Sequence, residues 1–229
     1  MKNLIAIDTS TEACSVALLC DEQSIFRYLV EPRVHAKVLL PLLDELLAEA
    51  GISAQQIDAI AFGRGPGAFT GVRIGTAAAQ AIALASDLPV APVSTLAAIA
   101  HRCFRERGCE KVAACIDARM GEVYWGAYQL AFGQAELVGA ELVCPPAKVK
   151  VLDASWTSAG TGWQTYPSEL QRASGVSIDA SNELFPHALD ILHLGRSLLQ
   201  RGQGVSADKA LPVYLRDNVA LTEKQRSQN

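Results

Sequence analysis

This 229-residue chain has no surplus of basic residues: 20 Lys and Arg stand against 24 Asp and Glu, giving a net charge of −4. A domain that grips a phosphate backbone unaided usually carries a basic excess. Any nucleic acid therefore implies a partner that does much of the gripping. Long apolar runs are missing as well. The longest mostly apolar stretch, Ala77 to Ala85, is interrupted by Gln80 and is too short to span a bilayer. Met1-Lys2-Asn3 leads straight into Leu4–Ile7, which is too short for the apolar region of an export signal. A cytoplasmic location with no membrane attachment is expected. The six cysteines form no C-x-x-C and are expected to be reduced, mostly buried small hydrophobes. The four histidines, His35, His101, His187 and His193, include no i, i+4 pair. A two-histidine helix site is thus absent, and no metal is expected. No G-x-S-x-G occurs, which removes the usual signature of a serine hydrolase.

What is present is a globular composition, half apolar and only 19% charged, long enough for one large domain or two small lobes. The N-terminus reads as three strands: Leu4 to Ile7, Cys14 to Leu19 and Ser24 to Val30, an antiparallel meander. Leu39, Leu42, Leu43, Leu46, Leu47 and Ala50 follow helical spacing up to a stop at Gly51. Pro41 then has to lie in the first turn or kink the helix. A buried strand, Ile57 to Phe62, leads into a glycine loop, Gly63 to Gly71. A second helix is expected from about Val72 to Ala85, with Arg73, Thr76 and Gln80 as one narrow polar stripe. The rest of its circumference is apolar or small, so it needs cover on more than one side. Strand Val90 to Val93 and a third helix from Ser94 or Thr95 to about Arg105 follow.

The opening pattern then returns. Val112 to Ile116 ends in Asp117, and Glu122 to Tyr128 comes back as a strand. Superposing Ile7-Asp8 on Ile116-Asp117 suggests a duplicated fold with two facing lobes. Ser158 to Gly162 resembles another strand-to-turn, and a last helix is expected from about Pro186 to Gln200. Phe132 to Ser158 has no clear pattern, and the tail beyond Lys224 is expected to fray.

Each Asp-bearing turn could hold a phosphate through backbone amides and hydroxyls. Asp8, Thr9, Ser10 and Thr11 form the first turn, and Asp117, Arg119 and Gly121 the second. Gly65, Gly67, Thr70, Gly71, Gly160 and Gly162 are the further candidates. Together these residues outline a candidate vestigial nucleotide cleft. A simply satisfied turn is the competing reading. Gly63, Gly65 and Ala68 spell a dinucleotide-binding fingerprint, but Pro66 interrupts it and the loop follows the fourth strand, not the first. The helix N-terminal amides at Thr70 to Arg73 could hold an anion.

Three segments together resemble one family: Ile7 to Ser10, Gly65 to Gly75, and Ile116 to Tyr124, with Pro212 to Arg216 closing the chain. These are similar to the TsaB (YeaZ)-type members of the TsaD, or "glycoprotease", family, over nearly the whole chain. The resemblance implies an α/β, actin/Hsp70-like two-lobed fold built from ribonuclease H-like duplicated sheets. Residues 1–107 would form the first lobe, joined by a returning 208–229, and residues 108–207 the second. TsaD-like members bind a metal through H-x-x-x-H on the third helix. The matching positions here are Thr95 and Ile99, so the resemblance implies a chain without catalytic residues or a cofactor of its own. It would act on tRNA only within a complex, beside a TsaD-like transferase and a TsaE-like ATPase, with a nucleotide at the partner interface as an option. Pairing, with TsaD or with a second copy, would use the first two helices: Leu39, Leu42, Leu43 and Leu46, then Val72, Arg73, Thr76, Ala77 and Gln80. The alternative is a small actin-fold kinase or ATPase acting alone, with Asp8 and Asp117 flanking a magnesium-bound nucleotide.

Overall fold

The computed structural model describes residues 1–178 and 184–216; the expectation of a frayed tail after Lys224 lies outside the described residues. Leu4–Asp8 (β1), Ala13–Cys20 (β2) and Gln23–Val30 (β3) form the expected meander. On its other side β1 pairs in parallel with Ala59–Gly63 (β4), which pairs in parallel with Val90–Val93 (β5), giving the order β3-β2-β1-β4-β5. All five residues of β1 and of β4 are buried, as befits central strands covered on both faces. On one face Ile5, Ile7, Val16, Leu18 and Phe62 meet Leu39, Leu43 and Leu46 of α1 (His35–Ala50), and Ala79 and Ala83 of α2 (Phe69–Ser86).

The second sheet repeats the plan. Lys111–Arg119 (β6), Glu122–Ala131 (β7), Gln134–Leu137 (β8) and Thr157–Ala159 (β10) lie in the order β8-β7-β6-β10, and Leu142–Cys144 (β9) also pairs with β7. β6 takes the place of β1: its hairpin partner β7 is antiparallel and β10 is parallel on its other side. The duplication read from Ile7-Asp8 and Ile116-Asp117 is therefore structural, and the fold is the two-sheet, ribonuclease H-like α/β plan. The stretch Phe132 to Ser158, unreadable by periodicity, supplies β8, β9 and the start of β10. These are edge strands of three or four residues, too short to establish a period.

The helices between the sheets are exchanged. Thr95–Arg107 (α3) follows the first sheet but packs on β6, β7 and β8 of the second. Ala188–Gln200 (α6) follows the second sheet but packs on β1, β2, β4 and β5 of the first. The return to the first sheet thus begins at Ala188, not at 208. Gly162–Thr165 (α4) and Pro167–Ser174 (α5) cover the far face of the second sheet, with Trp163 and Leu170 fully buried. The two middle helices are tied by Asp190, which has no exposed surface. Its Oδ1 lies 2.7 Å from His101 Nδ1 and accepts from Arg105 Nε, while Oδ2 accepts from Arg105 at 2.9 Å. Burial alone would push this carboxyl up; the bonds from His101 and Arg105 outweigh it and hold its pKa below the usual value.

Two helix expectations shift. Pro41 is the seventh residue of α1, beyond the first turn, so the helix forgoes one backbone bond there. α2 begins at Phe69, three residues earlier than its hydrophobic pattern implies, because Ala68 already accepts from the Val72 amide at 2.9 Å. Of the four amides assigned to anion binding, that of Val72 is therefore committed inside the helix.

Candidate functional site

The first hairpin turn is bedded in the glycine segment. The Ala68 amide donates to the Ser10 carbonyl at 2.7 Å, and Thr9 Oγ1 donates to the Gly71 carbonyl at 2.7 Å. A Cβ on Gly67 would stand 2.2 Å from the Ser10 carbonyl oxygen, and one on Gly71 2.1 Å from that of Thr9. Those glycines are needed so that two backbones can touch. Gly65 has φ +97° and lies beside the Val213 carbonyl and Val72.

The hydroxyls expected to face a ligand are used internally. Ser10 donates its amide and its hydroxyl to Asp8 Oδ1, at 3.0 and 2.9 Å, and Thr95 Oγ1 donates to Ser10 Oγ at 3.1 Å. Thr11 Oγ1 accepts from the Ala13 amide. Asp8 is 1% exposed. Burial pushes its pKa up to about 7, against the lowering pull of the Ser10 amide and hydroxyl.

The second turn is open. Asp117 Oδ1 accepts from the Arg119 amide at 2.8 Å, the same i+2 bond that Asp8 makes, and its Oδ2 accepts from the Arg119 guanidinium at 3.0 Å. The Asp117 amide donates to Thr161 Oγ1. Arg119 also reaches Glu12 of the first turn at 3.4 Å, so one side chain spans both hairpins. Gly121 has φ +76° in open space, whereas Gly160 and Gly162 press against the Cys115 backbone and thiol, at 2.3 Å from ideal Cβ positions.

Between the turns lies a cleft of about 820 Å³. Ser10, Thr11, Gly67, Asp117 and Arg119 of the expected set line it. Asp8, Thr9, Gly65, Thr70, Gly71, Gly121, Gly160 and Gly162 do not. Its remaining wall comes from residues that sequence reasoning did not place there, among them Phe69, Tyr124, Thr161, Gln164, Phe185, Tyr214 and Arg216. Residues 210–216 cross this region. The Ala210 carbonyl accepts from Gln80, the Val213 amide donates to the Arg64 carbonyl, and Arg216 grips Glu122 and the carbonyls of Ala118 and Arg119. The closing motif Pro212 to Arg216 was the available signal for this strap.

Several of the residues expected at the pairing face of α1 and α2 lie inside the chain. Leu39, Leu43, Leu46 and Val72 are buried in the chain's own core, and Leu42 is half-buried. Thr76 is 4% exposed and turns its hydroxyl to the Val72 carbonyl, and Gln80 is engaged with Ala210. Thr76 thus satisfies its hydroxyl within its own helix, and Gln80 ties α2 to the closing segment. The exposed row is Phe69, Arg73, Ala77, Ala81 and Ala85 at i, i+4 spacing, with Leu84 exposed beside Ala85. Phe69 is 56% and Leu84 77% exposed. The Arg73 guanidinium stacks 3.3 Å above the Phe69 ring, with Tyr214 beyond it.

At the positions matching the two metal-binding histidines, Thr95 belongs to the Asp8–Ser10 network, and Ile99 packs with Leu96, Phe104 and Val112. Among the described residues no group of three or more His, Cys, Asp or Glu could hold a metal ion, and no helix is long and apolar enough to cross a membrane.

A duplicated ribonuclease H-like sheet with a glycine-bedded first hairpin defines a class, and comparison with known proteins agrees. The family described as "TsaD: tRNA N6-adenosine threonylcarbamoyltransferase" matches residues 30–224, and this chain belongs to it. Within it, the chain is 42% identical to the tRNA threonylcarbamoyladenosine biosynthesis protein TsaB of Escherichia coli (strain K12), over 95% of this chain and 96% of that one. It is 39% identical to TsaB of Haemophilus influenzae over 94% of each. The solved structure of YeaZ from Pseudomonas aeruginosa superposes with a TM-score of 0.87 at 52% identity, over 94% of this chain and all of that one.

Proposed function

We propose that this chain is a non-catalytic pairing subunit in the biosynthesis of threonylcarbamoyladenosine on tRNA, in the cytoplasm and away from any membrane. It docks a TsaD-like transferase through the outer face of α1 and α2, works beside a TsaE-like ATPase, meets tRNA only within that assembly, and pairs with a second copy when alone. The observation that carries this reading is the exposed ridge on α2. Phe69, Ala77, Ala81, Ala85 and Leu84 leave an apolar face that neither the sheet nor α1 covers. Small residues in an i, i+4 row let a partner helix approach closely, and a stable interface of this kind buries about 1,200–2,000 Å². The committed side chains of Thr95 and Ile99 support the non-catalytic part.

The test is transfer of threonylcarbamoyl from supplied threonylcarbamoyl-adenylate to tRNA. The lone chain is expected to give no product and the chain with a TsaD-like partner to give product; robust transfer by the lone chain would overturn the reading. The 820 Å³ cleft keeps a second reading in view, a nucleotide-dependent enzyme acting alone. It needs Asp8 and Asp117 to flank a magnesium-bound nucleotide, whereas Asp8 is sealed behind Ser10 and Asp117 is paired with Arg119. Calorimetry with ATP and magnesium separates the two: tight stoichiometric binding by the lone chain favours the enzyme.

A further inference from the structure

Cys103 is buried in the second-last turn of α3, and Cys109 is half-buried one residue beyond the left-handed Gly108 that ends that helix. Their sulfurs are 3.4 Å apart. A disulfide needs about 2.05 Å, so the pair must close by a little over 1 Å. Gly108 sits at φ +65° with open space beside it, so no neighbouring atom blocks that side of the turn. We propose that Cys103 and Cys109 form a dithiol site that peroxide oxidises reversibly to a disulfide, stapling the C-terminus of α3 to the entry of β6.

The chemistry balances with peroxide as the oxidant. The Cys109 thiolate attacks one peroxide oxygen, the O–O bond breaks, and sulfenic acid and hydroxide form. The Cys103 sulfur then attacks the Cys109 sulfur, the S–O bond breaks, and the departing hydroxide takes the Cys103 proton as water. Two thiols and one hydrogen peroxide give one disulfide and two waters.

The other thiols provide the contrast. Burial pushes Cys14 up to about 12 and raises Cys115 and Cys144 as well. Cys109 is instead lowered, to about 7, first by the hydrogen bond from Cys103 and then by Thr157 of β10 and the charge of Arg107. A thiolate at neutral pH beside a second sulfur is the arrangement of a reactive cysteine with its resolving partner.

The experiment treats the intact protein with stoichiometric hydrogen peroxide at pH 7.5, blocks remaining thiols under denaturing conditions, and digests with trypsin without reduction. The expected product is the peptide Cys103–Arg105 joined to Gly108–Lys111, lost on adding dithiothreitol. In Cys103→Ala the crosslink is expected to vanish and Cys109 to accumulate as sulfenic acid trapped by dimedone, and the Cys144→Ala control is expected to crosslink as wild type. Prior oxidation of Cys20 or Cys144, or passage of Cys109 to sulfinic acid in wild type without the crosslink, would overturn the proposal. So would a rate of Cys109 alkylation that rises only above about pH 8.5, the range of an ordinary thiol.

Discussion

The two hairpins share a skeleton and differ in what covers them. In each, a central strand carries an aspartate at or near its end whose Oδ1 accepts the amide two residues on. Around Asp8 the glycine segment, the first turn of α2 and Thr95 close in, so the carboxyl is buried and the turn hydroxyls are consumed. Around Asp117 the turn faces the cleft and is held by ion pairs from Arg119 and by the Arg216 strap. A phosphate-holding turn needs its donors unspent. The first turn has spent them on structure, and the second offers a salt-bridged aspartate in their place. The duplication thus kept the backbone and reassigned the chemistry, which agrees with a subunit whose contribution is a surface.

The sharpest break of this comparison is steric. Gly71→Ala places a methyl against the Thr9 carbonyl oxygen and is expected to cost roughly 3–5 kcal/mol, about 10 °C in Tm. Gly121→Ala meets open space and carries only the cost of a positive φ, roughly 1–2 kcal/mol. Calorimetric melting compares them directly, and equal shifts would contradict the account.

The next effect is in pH. The Asp8 carboxyl moves from an ordinary 3.8 up to about 7 on folding. Between those values the folded chain holds a proton that the unfolded chain has lost. Stability therefore falls as pH rises through that window, and the full penalty persists above it. Asp8→Asn has no such proton to lose. Its stability relative to wild type is expected to improve by about 2–4 kcal/mol between about pH 4 and pH 8, read from urea melts at each pH. A constant difference across that range would place the carboxyl in contact with water.

Smaller again is the strap. Arg216→Ala removes charge-assisted bonds to Glu122 and to two carbonyls and is expected to cost roughly 1–2 kcal/mol. Hydrogen exchange should quicken at residues 118–122 and stay unchanged at residues 8–12.

Much of this was legible in the sequence. Alternating and continuous apolar runs gave β1 to β7, and Ile7-Asp8 and Ile116-Asp117 revealed the duplication. The loop stretching from Gly63 to Gly71 was visible too, but its purpose was not. Spacing shows that glycines are there, whereas only coordinates show a carbonyl 2.1 Å from a missing Cβ. The same limit hid the exchange of α3 and α6, since periodicity marks an apolar face without saying which sheet it meets. It also left the orientation of α2 unread, where Arg73, Thr76 and Gln80 formed one polar stripe. The bonds of Thr76 to Val72 and of Gln80 to Ala210 leave Phe69, Ala77 and Ala81 outermost.

Under the proposed reading, substitutions in that outer row disturb the fold least and pairing most. Ala77 and Ala81 are exposed, whereas Ala78 packs against the chain's own core. Ala77→Glu is expected to move stability by less than about 0.5 kcal/mol, and Ala78→Glu to destabilise the fold itself. The most direct measurement is light scattering on a sizing column of wild type and Ala77→Glu, each alone and mixed with a TsaD-like partner. The account predicts that wild type pairs in both settings, while Ala77→Glu melts as wild type yet elutes as a monomer and leaves the partner unbound. A folded Ala77→Glu variant that still forms both pairs would contradict it.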